Sequence, residues 1–465
     1  TPDPLWSRGL GDVYKRQMSS IAQYLYDKGN IVFGYDRENN QAIKILLNKG
    51  IVITNELNLD LIPKEMMGDD VEIIYTPAVK DDNIYLEYFI SKGRNKIYKR
   101  SEILGEITKN SKCIAVAGTH GKTTTTGIIS HLLYSHGIKF KAFVGGIMKG
   151  YNSNYIYTGD DYVVVEADEY DRSFLNLSPD YAVITSIESD HLDIYGDFDS
   201  LNKSFELFSL KVKKSLVAEE QIKIERNYTF SITNEADYKA SNITLINNGI
   251  SFDLKTPDNI FTNVYVKTIG MHNLKNVLSA LSVIDQIKEI KIKELLPFLS
   301  SFKGIERRME IYTIDDKIII DDYAHHPTEI DSVYDTIITN FKNKSNAVIF
   351  QPHLFSRTRD FMDDFALVLS KFDEVYLLDI YPAREKPIDG VNSQLLLKKI
   401  NSSKKEMISK DSINDIIINS NADVISVLGA GNISDNLNKE IFTLSLIHIS
   451  EPTRPERIGY AGVWL

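Results

Sequence analysis

Residues 113–127 read CIAVAGTHGKTTTTG, an apolar run that ends in two glycines, a lysine and a row of threonines. A glycine turn at a helix start aims backbone N–H groups and the positive end of a helix dipole at an anion. Lys122 adds a point charge, and Thr123 a hydroxyl ligand for Mg2+. The turn Gly118, Thr119, His120, Gly121, Lys122, Thr123, Thr124 is therefore a candidate phosphate cradle. The pattern G-x-x-x-x-G-K-[ST] would place a glycine at Val116, whereas the first here is Gly118, so the cradle is a shortened variant. A bare G-K-T after a strand is also compatible with an ordinary turn.

Two further apolar runs end in groups that could share a crevice with this turn. YVVVEADE ends in Glu166, and YAVITSIESDH in His191. Open parallel sheets collect ligands at the carboxyl edges of their strands, which would bring Thr123, Glu166 and His191 together around Mg2+ and phosphate oxygens. The competing reading of Glu166 is a solvated acid in the run Glu166 to Asp171. Asp36, at the end of NIVFGYD, stands where doubly wound nucleotide folds place a ribose-binding acid, although a surface Asp capping a turn is the plainer reading. Six of the nine histidines (His120, His191, His272, His325, His326, His353) lie in strand-end loops, which favours ligand-facing roles.

Positioning these groups takes a regular frame. Cys113 to Ala117 reads as a buried strand, and the helix from Lys122 carries Ile128, Ile129, Leu132 and Leu133 on one face. Strand-like and helix-like segments alternate almost to the end, which predicts an α/β protein of three domains, each on a largely parallel sheet. The expected domains are 18–110, 111–303 and 304–444, with Pro327 in the first turn of a helix. Residues 1–17 and 445–465 fit no neighbouring pattern and resemble translated sequencing adapter, so they are set aside. That leaves the helix from Met18 with no strand before it, where a nucleotide-binding domain would open with a strand and a glycine turn.

The bulk properties narrow the class. A chain of 465 residues has room for about three domains. Its net charge of -11 argues against nucleic acid or an anionic membrane as the main partner. One cysteine, Cys113, excludes an internal disulfide and suits a reducing compartment. No apolar run approaches the roughly 20 residues that span a bilayer and no signal peptide opens the chain, so a cytoplasmic location is expected.

From Met18 to about Leu444 the chain resembles the Mur ligases. AGTHGKTTTT, EADEYDRSFLNLSP, DHLDIYG, GMHNLKNVLSA, FKGIERRME, DDYAHHPTEI, QPHLFSRTRDF and DIYPAREKP occur in that family's order and spacing. The resemblance implies a Rossmann-like UDP-sugar domain, a P-loop ATPase domain and a Rossmann-like amino-acid domain that closes over ATP. It implies ATP-dependent joining of L-alanine to the lactyl carboxylate of UDP-N-acetylmuramate through an acyl phosphate, in peptidoglycan precursor synthesis. By the same resemblance Lys122 holds phosphate, and Thr123, Glu166 and His191 bind Mg2+. His272 and Asn276 contact adenine and ribose, with Arg307 and Asp322 completing the ATP site. Tyr323, His325, His326, His353, Arg357 and Arg359 form the amino-acid pocket, where His325 or His326 assists the tetrahedral intermediate. DVYKRQ replaces the family's first glycine-rich turn, and Leu354 stands where arginine is common. Two alternatives are a ligase that attaches a tripeptide to the same sugar nucleotide and a P-loop ATPase switch. SRTRD favours alanine over a tripeptide, and the histidine and arginine loops of the third block are more than a switch requires.

Overall fold

The structure, a computed structural model, describes residues 6–10, 16–36, 40–69, 71–76, 79, 83–94, 96–190, 192–246, 249–383, 385–437 and 443–444. Three sheets follow one another along the chain. The first holds β1 (Trp6–Leu10), β2 (Val32–Tyr35), β3 (Val52–Thr54), β4 (Val71–Tyr75) and β5 (Lys96–Lys99), all parallel, in the order β3-β2-β1-β4-β5. The sequence reading set Trp6–Leu10 aside, yet this segment is the central strand, and the next helix spans Arg16–Asp27. Strand pairing uses backbone groups alone, so a segment without a strand pattern in its side chains can fill the slot between β2 and β4. Asp36 follows β2 and is buried at 1% exposure, so the surface-cap reading fails.

The central sheet holds β6 (Lys112–Ala117), β7 (Phe140–Met148), β8 (Ser153–Tyr157), β9 (Tyr162–Glu166), β10 (Tyr181–Ile184), β11 (Ser215–Glu219), β12 (Tyr228–Ser231), β13 (Tyr238–Ile246), β14 (Gly249–Lys255) and β15 (Ile260–Val266). Their order is β15-β14-β13-β12-β11-β10-β6-β9-β7-β8. The strands around β6 are parallel, and antiparallel hairpins close both edges. Alternation along β6 explains its unbroken apolar run. Ile114 and Val116 pack with Ile129, Leu132 and Leu278 of two helices on one face, while Cys113, Ala115 and Ala117 share the other core with Phe174, Phe205 and Phe208. A strand covered on both faces needs apolar residues at every position.

The third sheet holds β16 (Glu310–Ile314), β17 (Lys317–Asp322), β18 (Asn346–Phe350), β19 (Glu374–Leu377), β20 (Lys404–Met407), β21 (Val424–Leu428) and β22 (Thr443–Leu444), in the order β20-β19-β18-β21-β17-β16-β22. All its strands run the same way except β16, which pairs antiparallel with both β17 and β22. The three-sheet α/β architecture is the one expected. Among the described residues no helix is long and apolar enough to cross a membrane.

Candidate active site

The turn after β6 needs its glycines. Gly118 sits at φ 133° and Gly121, which caps the helix Lys122–Ser135, at φ 82°. A Cβ at Gly118 would lie 2.2 Å from Thr185 Oγ1, and one at Gly121 would lie 2.2 Å from Asn276 Oδ1. Lys122 Nζ lies 2.7 Å from the Glu169 carboxylate and donates to the Thr119 carbonyl at 3.1 Å. Burial opposes its charge, but Glu169, Asp168 and Glu166 outweigh it and hold the ammonium pKa above the ordinary lysine value. Thr123 Oγ1 donates to Glu166 Oε1 at 3.0 Å, and the Gly145 N–H donates to Oε2 at 2.7 Å. Burial raises the Glu166 pKa, with Lys122 opposing.

The third sheet brings a second set of groups against this turn. His326 caps the helix Pro327–Asn340, and Pro327 takes the first turn as expected. Glu329, at the third helical position, completes the capping box and also reaches across to the central domain. It accepts the His325 and His326 N–H groups at 2.9 and 3.3 Å and lies 3.2 Å from His120 Nδ1. His120 Nε2 faces Glu188 at 3.5 Å. Burial disfavours the imidazolium, yet the two carboxylates prevail and raise its pKa to about 9, so His120 is charged at neutral pH.

His325 and His326 present opposite faces. His325 Nδ1 lies 2.9 Å from the Tyr323 carbonyl, which can only accept, so Nδ1 carries the proton and Nε2 the lone pair. Burial pushes its pKa down to about 4, so the ring is neutral. His326 Nδ1 accepts the Thr328 N–H at 3.4 Å, which puts the proton of the neutral ring on Nε2, a buried atom with no hydrogen-bond partner among the described residues. Beside them His353 stacks on Tyr381 and meets Arg357 Nη1 at 3.2 Å. Arg357 also donates to Asp190 of the central domain, from Nη2 at 2.8 Å and from Nε at 3.2 Å.

Between the two domains lies a cavity of about 280 Å³ whose lining includes His120, Thr124, His272 and Asn276 on one side and Arg308, Asp322 and Glu329 on the other. Burial lowers the His272 pKa to about 4, helped by Arg308. Asp322 accepts the Met309 and Ala324 N–H groups at 2.6 and 2.7 Å, and burial raises its pKa to about 6.

Three family models match consecutive parts of the chain: Mur ligase family, catalytic domain, over residues 16–112; Mur ligase middle domain over 116–284; and Mur ligase, glutamate ligase domain, over 307–431. The chain belongs to the Mur ligase family. The UDP-N-acetylmuramate--L-alanine ligase of Christiangramia forsetii is 44% identical over 428 residues, covering 91% of this chain and 94% of the other. That of Flavobacterium psychrophilum is 42% identical over 439 residues, covering 93% and 97%. The crystal structure of the UDP-N-acetylmuramate-alanine ligase of Thermotoga maritima superposes with a TM-score of 0.79 at 25% identity, covering 92% of this chain and 97% of that one. Mur ligases are ATP-dependent.

The cavity of this Mur ligase collects His120, Gly121, Thr124, His272, Asn276 and Asp322 of the expected ATP residues. Gly118, Thr119, Lys122 and Thr123 belong to the same turn but lie outside that lining. Arg307 does not join them: it donates to the carbonyls of Gly431 at 2.9 Å and Gly429 at 2.5 Å, and its neighbour Arg308 lines the cavity instead. A left-handed φ of 57° at Arg307 turns the two side chains apart. Arg357 and Arg359 are not brought together either, because residues two apart on a helix do not share a face. Arg359 is 54% exposed and pairs with Asp360. Tyr323, His325, His353 and Arg357 do converge, whereas the His326 ring packs against His120 and Phe361. Asp36 lies outside the cavity lining in the first domain, and His191 lies outside the described residues. Glu166 and Thr123 offer two hard oxygens 3.0 Å apart beside the cradle, a donor pair that fits Mg2+.

Sequence reasoning missed Glu169, Glu188, Asp190, Arg308 and Glu329. Glu188 and Asp190 lie in the TSIESDH loop already marked as a strand end, and Glu329 is legible as a capping-box acid three residues after His326. Nothing in the sequence tells that Glu329 faces a partner in another domain.

Proposed function

We propose that this chain joins L-alanine to the lactyl carboxylate of UDP-N-acetylmuramate at the expense of ATP. The observation that carries the reading is the meeting, across one domain interface, of a phosphate cradle with a cluster of histidines and an arginine. The cradle fits the β and γ phosphates of ATP, with the adenosine in the cavity by His272 and Asn276. A carboxylate acylates poorly because its leaving group would be oxide, and taking the γ-phosphoryl gives it a better one. The alanine amine then attacks the acyl phosphate, releasing phosphate and leaving an amide.

Lys122 keeps its charge and can spread that of the transferring phosphoryl, a task of positioning and electrostatics. Thr123 and Glu166, with His191, would hold Mg2+, which when bound neutralises phosphate charge. The tautomers divide the work of the two histidines. His325 Nε2 offers the lone pair that can accept the amine proton, while His326 Nε2–H can donate to the oxyanion of the tetrahedral intermediate. Arg357 is the anchor for the alanine carboxylate, since a guanidinium fork matches that group in two bonds. Groups from two domains must meet, so closure assembles the site and keeps water from the acyl phosphate.

The test is phosphate release from ATP with UDP-N-acetylmuramate and, in turn, alanine, glycine, serine and the tripeptide. Alanine should be best, with glycine poorer by about 10 to 200-fold, the range one methyl can supply. Faster turnover with the tripeptide would favour the alternative of a ligase that attaches a tripeptide to the sugar nucleotide. Phosphate release that needs no amino acid would overturn the ligase reading.

A further inference from the structure

Arg357 and Asp190 form a buried ion pair across the interface between the second and third domains. Nε and Nη2 both point at Asp190, with Nη2 2.8 Å from Oδ1 and 3.1 Å from Oδ2 and Nε 3.2 Å from Oδ1. Nη1 is turned to His353 Nδ1 at 3.2 Å. The side chains are 5% and 8% exposed, so the pair is sealed from water. An arginine fork engages one carboxylate at a time along a given edge, and here the Nε–Nη2 edge is occupied by a carboxylate of the protein itself. The partners belong to different domains: Asp190 follows β10 of the central sheet and Arg357 sits on the helix Phe355–Asp360 of the third.

We propose that Asp190 is a specificity-determining placeholder: its carboxylate occupies the Arg357 fork until the α-carboxylate of the amino-acid substrate displaces it. The inference rests on the ligase reading above, which assigns Arg357 to that carboxylate. The physical need is plain. A buried guanidinium without a partner is strongly disfavoured, so a closed, alanine-free site must supply an anion of its own. A side-chain carboxylate tethered in the protein satisfies the fork while the site waits. It also sets a threshold: a ligand with no carboxylate, or with one at the wrong distance from its amine, cannot displace Asp190 and still present its amine to the acyl group. Alanine affinity is thereby scaled down in proportion to the fraction of time the fork is free. If Asp190 holds the fork about nine-tenths of the time, the apparent Kd is about tenfold above the intrinsic one.

The discriminating variant is Asp190→Asn, which keeps size and hydrogen bonding but removes the competing charge. Alanine binding is measured by titration calorimetry on the full chain with UDP-N-acetylmuramate, Mg2+ and a β,γ-methylene analogue of ATP, so that no chemistry intervenes. The placeholder role requires alanine to bind the variant about tenfold more tightly, with affinity for the ATP analogue unchanged. Unchanged or weaker alanine binding overturns it, since an Asp190 that only positions Arg357 would weaken binding when neutralised. Asp190→Ser carries the same expectation should the Asn variant fail to fold. The ligase reading is tested separately by the wild type: a chain that neither binds alanine nor releases phosphate with it loses that assignment, whereas normal turnover with weaker binding by D190N removes the placeholder alone.

Discussion

Replacing His120 by glutamine removes an imidazolium that stands between two carboxylates and ties the phosphate turn to the third domain. In the folded chain burial opposes the charge, but Glu188 and Glu329 raise the pKa from 6.5 to about 9. A group whose folded pKa is raised stabilises fully below its unfolded value, here 6.5, and that contribution fades as pH climbs through about 9. At about 1.36 kcal/mol per unit the rise corresponds to about 3 kcal/mol, and the side chain is exposed enough for solvent to trim that figure modestly. On the acid side Glu188 is lowered from 4.5 to about 2, burial opposing and His120 prevailing, so its contribution is present above 4.5 and lost as pH falls toward 2. The interface should be firmest between these windows. The assay is calorimetric unfolding of wild type and His120→Gln at about pH 6 and about pH 9.5, with the His120 ring titrated by NMR. The wild type should lose up to about 3 kcal/mol more than the variant between the two conditions. A His120 ring titrating near its unfolded pKa, or equal losses in the two proteins, would refute the argument.

Lys122→Ala should abolish phosphoryl transfer and also loosen the chain by about 3 kcal/mol or more, because Glu169, only 2% exposed, loses its cation. Adding Glu169→Gln should recover the melting temperature without recovering activity; activity in either protein would exclude Lys122 from the chemistry. In Gly145→Ala the new Cβ would fall 2.2 Å from Glu166 Oε2 and dislodge that carboxylate. Its Mg2+ requirement in the phosphate-release assay should rise about tenfold or more, and an unchanged Mg2+ dependence would remove Glu166 from the metal site. Arg308→Ala should raise the KM for ATP about tenfold, whereas Arg307→Ala should lower thermal stability by about 1–3 kcal/mol with little change in that KM. The reverse pattern would restore the ATP-site role expected of Arg307.

What the sequence made legible was whatever is written locally. The apolar run of β6, the glycine turn and the helix behind it lie within a few residues of one another, so the cradle could be read from spacing alone. The same holds for Pro327, which obeys a rule that operates within one helical turn. Arg307 and Arg308 show where such reading fails, because which of two adjacent arginines faces a cavity depends on a single left-handed residue and on carbonyls 122 and 124 positions away. Trp6–Leu10 fails for a related reason: its place is fixed by the vacancy between two parallel strands, a property of the sheet rather than of those five residues.

Glu329 and Asp190 are the instructive cases. Each carries a local signal, a capping box and a strand-end acid, that fully accounts for it without any role in the site. Their other partners are His120, 209 positions away, and Arg357, 167 positions away, both in a different domain. A charge that satisfies one requirement inside its own helix or loop and another across an interface links the two domains to local folding. Glu329 binds the start of the helix Pro327–Asn340 through one carboxylate oxygen and His120 of the phosphate turn through the other. If the proposed closure shields an acyl phosphate from water, a carboxylate shared between the glycine turn and the start of a helix in the third domain would couple closure to the ordering of that turn.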